Sequence, residues 1–577
     1  MVRLVDPELD IEERDDGTLV LRHPRPPEPV TLNLAHLLLE RAATWPDRTL
    51  IAEKSGDAWR HLTYAKAVDG CRRVAQWLIN QGADSSRPLA VLSGASIDHF
   101  LMAWGAVFAR VPGTPVSLSY STVPGARPKL KAVLDRVQPS FLFADDWQAY
   151  AAALSDIGWT GANELRIGVG GALGMEEILA TEPTAEVDDS IAAITPDTIT
   201  RYMFTSGSTG MPKGVIVNHR MTCQMLASSA AIKNPLAPES APRILDWMPW
   251  SHVGAGVMRL ASIINAGGAV YLDNGKPTPE EFHKTIANLR EVQPTSFAGA
   301  PLGWSMLVDA LERDDDLARS FYENIQAMQA GSAAMPDSLA DRIQALNVKD
   351  TGRRFPFGTS LMSTEVHSCT TKYWPTERTD IVGLPMPGAE LKLVPFGDKY
   401  ELRVRSEGVT PGYLGEPEKT REAFDEEGFF RMGDALRFAD PNDPLQGLRF
   451  AGRVAEEFKL ITGTWVAAGT LRADAIAAAS PWVRDVVVCG LNESYVALLV
   501  WPNLNASSEL AGAADPEVIC AHPDVREKIA QGFRQHNIAN TGSSRTIRRF
   551  MLLAEPPDPG AYEITDKGYI NQSAVQA

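Results

Sequence analysis

The stretch FTSGSTGMPKG at residues 204–214 constrains the fold more than any other feature, because it places small and hydroxyl residues between two apolar runs. Its glycines let backbone N–H groups approach an anion, its serines and threonines add donors, and Lys213 adds a positive charge. It is not a Walker A loop, because a glycine follows Lys213 and the run VIVNHR at 215–220 predicts a strand instead of a helix. The order favours a phosphate-binding loop over a flexible surface turn, and a phosphotransferase that releases ADP is an alternative use of such a loop.

Alternating runs predict an α/β fold for the first part of the chain. Amphipathic runs at 34–45 and 67–83 predict helices, and short apolar runs at 88–94 and 140–146 predict buried strands. From residue 389 onward the apolar and polar residues alternate with period two, which predicts antiparallel strands in a β-rich subdomain. We therefore predict a large multi-subdomain N-terminal domain of α/β sheets with that β-rich subdomain.

The last part of the chain has its own strands and a long helical stretch, so it predicts a small α+β domain. The predicted boundary divides the chain into residues 1–452 and residues 453–577. A length of 577 residues is too great for one compact core and agrees with more than one domain.

Composition and charge exclude several classes of protein. A net charge of −17 argues against a general nucleic-acid binder. The five cysteines are far apart and form no CxxC pair, which indicates neither disulfides nor zinc and favours a reducing, cytoplasmic location. The acidic N-terminus does not resemble a signal peptide, and no apolar run is long enough to predict membrane insertion. A homodimer stays an open alternative.

Seven segments in this order resemble the motifs of the adenylate-forming enzymes, which include acyl- and aryl-CoA synthetases, luciferases and adenylation domains. They are FTSGSTGMPKG (204–214), MPWSHVGAG (248–256), AGSAAMP (330–336), GTSLMSTEV (358–366), FRMGD (430–434), GRVAEEFKLITGTWV (452–466) and EITDKGYINQ (563–572). The wording of DNGKPTPEEF, AGSAAMP and the segment at 452–466 is most similar to feruloyl-CoA synthases. The resemblance covers nearly the whole chain.

The resemblance implies a role for each matching residue. On the phosphates of ATP it implies Thr205, Ser206, Gly207, Ser208, Thr209, Gly210 and Lys213. Gly331, Ser332 and Ala333 would lie along adenine, and Asp434 and Arg453 would bind the ribose. Gly463 would lie beside the pantetheine arm of coenzyme A. The catalytic set it implies is Lys567, Thr364, His252 and Glu365, of which Glu365 would hold Mg²⁺. The acid pocket it implies contains His252, Val253, Gly254, Phe297, Ala298, Gly299, Gly331, Leu361, Met362 and Ser363.

The same resemblance implies a two-step ligase that uses ATP, Mg²⁺ and coenzyme A. An aromatic carboxylic acid, of ferulic or hydroxycinnamic type, would form an acyl-adenylate and then a CoA thioester, releasing pyrophosphate and AMP. The alternatives are a medium-chain acyl-CoA synthetase, a benzoate-type CoA ligase and an enzyme that loads a carrier protein. A non-catalytic nucleotide- or acyl-binding protein is the alternative from a different class.

The hinge segment departs from the family pattern. In the family the small domain rotates between the two steps, and a charged residue usually stands two positions after the motif arginine. Here that position is Ala455, followed by Glu456 and Glu457, so the pivot charge is displaced or absent. Trp465, which follows the hinge, is predicted to pack in a core, and contact with a CoA tunnel is the alternative.

Overall fold

The computed structural model describes most of the chain. The described residues are 4–160, 164–206, 211–232, 241–278, 280–330, 335, 337–355, 357–376, 378–558, 561, 563–564 and 570–576; the side chains of 206, 330, 337, 455 and 573 are not described.

The strands of the described residues form three large sheets and two small ones. In chain order they are β1 (Asp10–Glu13), β2 (Leu19–Arg22), β3 (Thr49–Ser55), β4 (Ala58–Thr63), β5 (Leu89–Leu92), β6 (Gly113–Pro115), β7 (Phe141–Asp146), β8 (Leu165–Val169), β9 (Ile199–Ser206), β10 (Pro212–Asn218), β11 (Arg243–Asp246), β12 (Ala269–Leu272), β13 (Ser296–Gly299), β14 (Ala327–Ala330), β15 (Phe357–Gly358), β16 (Thr370–Thr371), β17 (Ile381–Pro385), β18 (Glu390–Phe396), β19 (Lys399–Arg405), β20 (Phe430–Phe438), β21 (Leu448–Arg453), β22 (Phe458–Lys459), β23 (Trp465–Val466), β24 (Val483–Cys489), β25 (Val496–Pro502) and β26 (Ile547–Leu552).

The helices cover the faces of these sheets. In chain order they are α1 (Leu34–Thr44), α2 (Tyr64–Asn80), α3 (Ile97–Phe108), α4 (Ser119–Thr122), α5 (Arg127–Val137), α6 (Trp147–Asp156), α7 (Met175–Leu179), α8 (Ala185–Ala192), α9 (His219–Ile232), α10 (Leu260–Asn265), α11 (Phe282–Val292), α12 (Pro301–Arg313), α13 (Asp315–Asn324), α14 (Asp337–Thr351), α15 (Pro417–Ala423), α16 (Ala468–Ala478), α17 (Leu504–Ala511), α18 (Pro516–Ala521), α19 (Pro523–Ala539) and α20 (Gln572–Gln576). None of the described helices combines the length and the apolar character that crossing a membrane requires.

Two of the large sheets are mainly parallel. The first has the order β10-β9-β6-β5-β7-β8, and the second has the order β15-β14-β13-β11-β12-β3-β4. Only the terminal hairpins β9–β10 and β3–β4 are antiparallel among their described pairings. All four residues of β5 are buried, as expected for a parallel strand with helices on both faces. The α/β part of the predicted fold is therefore confirmed.

The third large sheet is antiparallel and has the order β1-β2-β18-β19-β20-β21-β17-β16. The predicted period-two strands β18 and β19 pair along their full length, from Glu390 with Arg405 to Phe396 with Lys399. The N-terminal hairpin β1–β2 adds to this sheet through β2 and β18, which the sequence did not predict. An acidic run such as DIEE forms a strand here because all four of its residues are exposed at the sheet edge.

The final part of the chain has a separate hydrophobic core. The sheet β24-β25-β26 packs with α16 and α19 around buried residues that lie between Phe458 and Leu552. This arrangement is α+β, as predicted for that part of the chain. The position of the domain boundary stays a prediction.

We predict that two buried histidines make the protein less stable in mild acid. Burial lowers the pKa of His99 to about 4, and burial together with the Arg201 charge lowers the pKa of His219 to about 3. Unfolding would restore an ordinary histidine pKa near 6.5. The contribution of each neutral histidine to the free energy of unfolding is therefore fully present above about pH 6.5, and it is lost as the pH falls toward the pKa of the folded state. The free energy of unfolding should fall by about 1.4 kcal/mol per histidine between pH 7.5 and 5.5.

The control variant is His219→Asn, because an amide oxygen can still accept the hydrogen bond that Leu34 N–H donates to His219 Nδ1 at 3.1 Å. Denaturant unfolding at both pH values should show a smaller acid loss in this variant. An equal acid loss in the two proteins would contradict the assignment.

Candidate active site

The antiparallel pairing of β9 and β10 holds the two ends of the predicted phosphate loop together. Thr205 lies opposite Lys213, and Phe204 lies opposite Gly214. The strand after the loop, predicted from VIVNHR, is present as β10. Gly207, Ser208, Thr209 and Gly210 lie outside the described residues, as does the side chain of Ser206. The loop therefore begins and ends at adjacent points of one sheet.

A segment that crosses between two sheets, residues 409–414, fixes the position of β10 relative to Glu365. We call it the crossing segment. Leu414 N–H donates to the Gly214 carbonyl at 2.7 Å, and Thr410 Oγ1 donates to the Ile216 carbonyl at 2.7 Å. At its other end, Thr410 N–H donates to the Glu365 carbonyl at 2.7 Å. The backbone of the crossing segment thus ties the phosphate-loop strand to the predicted metal ligand.

Tyr413 in the crossing segment contacts two of the predicted site residues. Lys213 Nζ lies 5.2 Å from the centroid of the Tyr413 ring, which is within cation–π range. Tyr413 Oη donates to Glu365 Oε1 at 3.2 Å. Burial raises the pKa of Tyr413, and the Glu365 carboxylate raises it further, so the phenol keeps its proton and acts as the donor. Tyr413 lies in none of the motifs that the sequence offers, and so it was not predicted as a site residue.

Asp434 and Arg453 form an ion pair next to this cluster. They are cross-strand partners on β20 and β21, and Arg453 Nη1 lies 2.6 Å from Asp434 Oδ1. Burial raises the pKa of Asp434, with Arg453 opposing the shift and the negative charge of Glu365 adding to it. Glu365 and Asp434 therefore lie within range of electrostatic repulsion. The predicted ribose pair and the predicted metal ligand belong to one group of residues.

The carboxyl ends of four parallel strands meet at a second part of the site. The strands β11, β13, β14 and β15 are neighbours, with Gly299 beside Ala330 and Gln329 beside Gly358. In open α/β sheets, ligands bind outside such carboxyl ends. The segments after β11, β14 and β15 carry most of the predicted acid-pocket residues, and the other three, Phe297, Ala298 and Gly299, lie on β13 itself. Gly331, Ser332 and Ala333, which follow β14, lie outside the described residues.

The segment after β15 makes a tight turn that contains Glu365. Ser363 N–H donates to the Val366 carbonyl at 2.8 Å, and Val366 N–H donates to Ser363 Oγ at 3.0 Å. Leu361 and Thr364 are buried, whereas Met362 is 44% exposed. Of these three predicted site residues, Met362 is thus the one with a free surface.

The loop that carries His252 leads into a short π-helix, Gly254–Arg259. His252 is half-buried. Its backbone N–H donates to the Pro249 carbonyl at 3.1 Å, and its backbone carbonyl accepts from the Gly256 N–H at 2.8 Å. Val253 is buried in the core, whereas a Cβ added at Gly254 would meet no described atom within 4 Å. Short π-helical segments are frequent at functional sites. The open side of this loop is therefore at Gly254.

Phe297 does not line an open wall. It is buried, and its ring packs at 4.9 Å from Trp304 and 5.7 Å from Phe321, measured between ring centroids. This packing does not support a direct pocket contact for its side chain, because alternation on β13 turns Phe297 into the core. Ala298 is half-buried, and Gly299 is buried beside Trp304.

The predicted hinge follows β21 and has a buried ion pair. Lys399 on β19 pairs with Glu457, and Lys399 Nζ donates to the Ala451 carbonyl at 3.0 Å. Burial and the nearby Arg437 charge lower the pKa of Lys399 to about 8. The predicted hinge segment, which has Ala455 at the position of the family's charged residue, therefore has a buried carboxylate at Glu457, four residues after Arg453.

Gly463 lies in the turn between β22 and β23 with a φ of 79°, a conformation that glycine adopts without strain. The core packing predicted for Trp465 is wrong: the residue is 46% exposed and lies against Phe396 and Lys459. Lys567 lies outside the described residues.

The family of the chain follows from its similarity to known proteins. Residues 38–414 match the family described as AMP-binding enzyme, and the chain belongs to this family. The prediction of an adenylate-forming enzyme is thereby confirmed.

Two curated relatives are CoA ligases. A methyl-dioxo-octahydroindenyl-propanoyl:CoA ligase of Rhodococcus jostii (strain RHA1) is 27% identical over 440 residues, which cover 72% of this chain and 80% of that protein. Long-chain-fatty-acid–CoA ligase ACSBG2 of Xenopus laevis is 22% identical over 601 residues, which cover 91% of this chain and 79% of that protein. With the family match, these relatives confirm the predicted enzyme class, an acid–thiol ligase.

The fold is also that of a solved structure. The adenylation domain of a carboxylic acid reductase from Segniliparus rugosus, solved with AMP and a carboxylic acid, superposes with a TM-score of 0.74. The match covers 94% of this chain and 92% of that chain at 19% identity. The predicted fold class is confirmed by this likeness.

We predict that the His252 loop tolerates a methyl group at Gly254 but not at Gly256. A Cβ at Gly256 would lie 2.1 Å from the Trp250 carbonyl oxygen, so the loop would have to move. Gly256→Ala should lower the melting temperature by about 3 °C or more, whereas Gly254→Ala should leave it within about 1 °C. Differential scanning calorimetry of both variants measures this, and equal melting temperatures would contradict the observed loop conformation.

Proposed function

We propose that this enzyme activates an aromatic carboxylic acid of hydroxycinnamic type with ATP and transfers the acyl group to coenzyme A. The observation that carries the proposal is the single cluster formed by Lys213, Tyr413, Glu365, Asp434 and Arg453. It joins a cation beside the phosphate loop to two carboxylates and a guanidinium within contact or electrostatic range. A nucleoside triphosphate with its metal requires such a set.

In the first proposed step, a carboxylate oxygen of the acid attacks the α-phosphorus of ATP. A bond forms between that oxygen and phosphorus, the bond to the β-phosphate oxygen breaks, and pyrophosphate leaves. Negative charge develops on phosphoryl oxygens, so fixed cations and hydrogen-bond donors would supply most of the catalysis. In the second step the CoA thiolate attacks the acyl carbon, and AMP leaves.

Each residue would act on one part of these reactants. Lys213 and the hydroxyls of the phosphate loop would hold the β- and γ-phosphates. Thr364 would donate to the α-phosphate, Asp434 would accept from the ribose hydroxyls, and Arg453 would donate to the ribose. Lys567 would bridge the acid carboxylate and the α-phosphate during the first step. His252 and Gly254 would lie along the acid.

The residues present fit a Mg²⁺ ion carried by the nucleotide. Among the described residues, no group of three histidine, cysteine, aspartate or glutamate side chains could hold a metal ion by itself. Mg²⁺ usually takes one or two carboxylates and completes its shell with water and phosphate oxygens. Glu365 would be the carboxylate here, and Mg²⁺ would neutralise charge on the departing pyrophosphate.

The identity of the carboxylic acid has less support from the structure than the use of ATP. The likeness of residues 452–466 and 330–336 to feruloyl-CoA synthases favours an aromatic acid. The two relatives described above are named for a bicyclic propanoate and for long-chain fatty acids, so an aliphatic acid is the second candidate.

The second step would need access for pantetheine, and we propose that residues 453–577 move as a small domain between the two steps. Gly463 would lie beside the pantetheine arm, where a side chain would obstruct a close approach. The Lys399–Glu457 pair at the hinge would be broken or reformed in this movement.

A panel of acids tests the proposal. Ferulic, cinnamic, benzoic, octanoic and palmitic acids are each supplied with ATP, Mg²⁺ and CoA, and both pyrophosphate release and thioester absorbance are measured. We expect ferulic acid to give the highest kcat/KM and to release AMP, not ADP. Preference for octanoic or palmitic acid would replace the aromatic proposal with the aliphatic one, and release of ADP would contradict adenylation.

We predict that Lys567→Ala separates the two steps. The rate of adenylate formation should fall about 100-fold or more, because a cation that stabilises the transition state is lost. Thioester formation from supplied acyl-AMP should stay within about threefold of wild type. Lys528→Ala changes an exposed lysine on α19 and serves as the control. Equal loss of both steps in the Lys567 variant would contradict the divided role.

A further inference from the structure

Tyr413 is the one described side chain for which contacts to both Lys213 and Glu365 are seen. These two residues lie on different parts of the fold: Lys213 is on β10, and Glu365 lies in the turn between Ser363 and Val366 that follows β15. Their predicted partners, the β- and γ-phosphates and the metal on them, are adjacent parts of one ligand. The two residues therefore have to be held at a fixed spacing.

The backbone around Tyr413 is held from both sides. Tyr413 forms an isolated antiparallel β-bridge with Val215 on β10, and the backbone N–H of Tyr413 donates to Thr420 Oγ1 at 3.0 Å. On the other side, Val409 is bridged to Val366, next to Glu365. Tyr413 is buried, with 8% of the residue exposed. A side chain so confined can orient its neighbours without losing much further conformational entropy.

The two contacts of Tyr413 have different effects on Glu365 and on Lys213. The phenol donates to one oxygen of Glu365, which restrains the carboxylate while the second oxygen stays available as a ligand. The ring presents its negative face to the Lys213 ammonium without neutralising it, as a carboxylate would. The ring therefore places no negative charge between Lys213 and a phosphate.

We propose that Tyr413 is a positioning residue that sets Lys213 and Glu365 for the metal-bound triphosphate and thereby selects ATP over AMP. This inference rests on the proposed function, because it assumes that Lys213 and Glu365 bind phosphate and metal. Asp434 and Arg453 have no described contact with Tyr413, so the nucleoside part of the ligand does not depend on it.

The experiment measures equilibrium binding, not turnover. Isothermal titration calorimetry is performed with α,β-methylene-ATP in excess Mg²⁺, and separately with AMP. The analogue cannot donate its adenylyl group, because a carbon replaces the oxygen between its α- and β-phosphorus atoms. Tyr413→Phe removes the bond to Glu365 but keeps the ring over Lys213, and Tyr413→Leu removes both. The matched control is Tyr150→Phe, because the Tyr150 hydroxyl also bonds a carboxylate, Asp145 at 2.9 Å, and Tyr150 has no described contact with Lys213 or Glu365.

We expect Tyr413→Phe to bind the magnesium complex of α,β-methylene-ATP about tenfold more weakly than wild type, with the affinity for AMP within twofold. In EDTA, wild type and Tyr413→Phe should bind the analogue equally, because the lost contact acts through the metal ligand. Tyr413→Leu should remain weaker than wild type in EDTA, because the Lys213 contact is also lost. Tyr150→Phe should match wild type throughout.

Two results would overturn the inference while leaving the proposed function intact. One is wild-type affinity of Tyr413→Phe for the magnesium complex. The other is an equal loss of affinity for AMP and for the analogue, which would indicate a structural role only. Wild-type protein that binds neither nucleotide would overturn the proposed function itself.

A double-mutant cycle with Glu365→Gln guards against an indirect effect on folding. If Tyr413 acts through Glu365, adding Tyr413→Phe to Glu365→Gln should weaken binding by less than twofold. A further tenfold loss in the double variant would count against the inference.

Discussion

The backbone pairing between β9 and β10 is the constraint on which the rest of the site depends. It fixes Thr205 opposite Lys213 and so closes the phosphate loop at its base. A helix after the loop would offer an oriented dipole, as a Walker A motif does. Here a strand follows, and the charge of Lys213 is positioned by cross-strand pairing and by the crossing segment instead.

The crossing segment connects this hairpin with the antiparallel sheet. Its hydrogen bonds reach Gly214 and Ile216 on one side and Glu365 on the other. Because β19, which precedes it, belongs to the same sheet as β20 and β21, the Asp434–Arg453 pair is attached to the same framework. Three sheets therefore contribute to one cluster, and a shift of any sheet would change the spacing between the triphosphate groups and the ribose groups.

The alternation of strands and helices could be predicted from the sequence because it reflects local burial. The runs at 88–94 and 140–146 form β5 and β7, and the helical runs form α1 and α2. The pairing of β2 with β18 could not be predicted, because Leu21 meets Leu391 across 370 residues and no local pattern records that contact. The same reason explains why Tyr413 was missed: its importance lies in contacts with residues distant in the sequence.

Two side-chain interpretations show the limit of reasoning from motifs. Phe297 was predicted to line the acid pocket, yet strand alternation turns its ring toward Trp304 in the core. Trp465 was predicted to pack in a core, yet it is 46% exposed on a two-stranded hairpin. A motif fixes the path of the backbone more closely than it fixes which side of the strand a given side chain occupies.

The central claim is that a carboxylate oxygen of the substrate forms a bond to the α-phosphorus of ATP. An acid labelled with ¹⁸O in its carboxylate, incubated with enzyme, ATP, Mg²⁺ and CoA, tests this directly by mass spectrometry of the nucleotide product. The account predicts AMP that carries one atom of ¹⁸O from the acid. Unlabelled AMP formed alongside the thioester would contradict it.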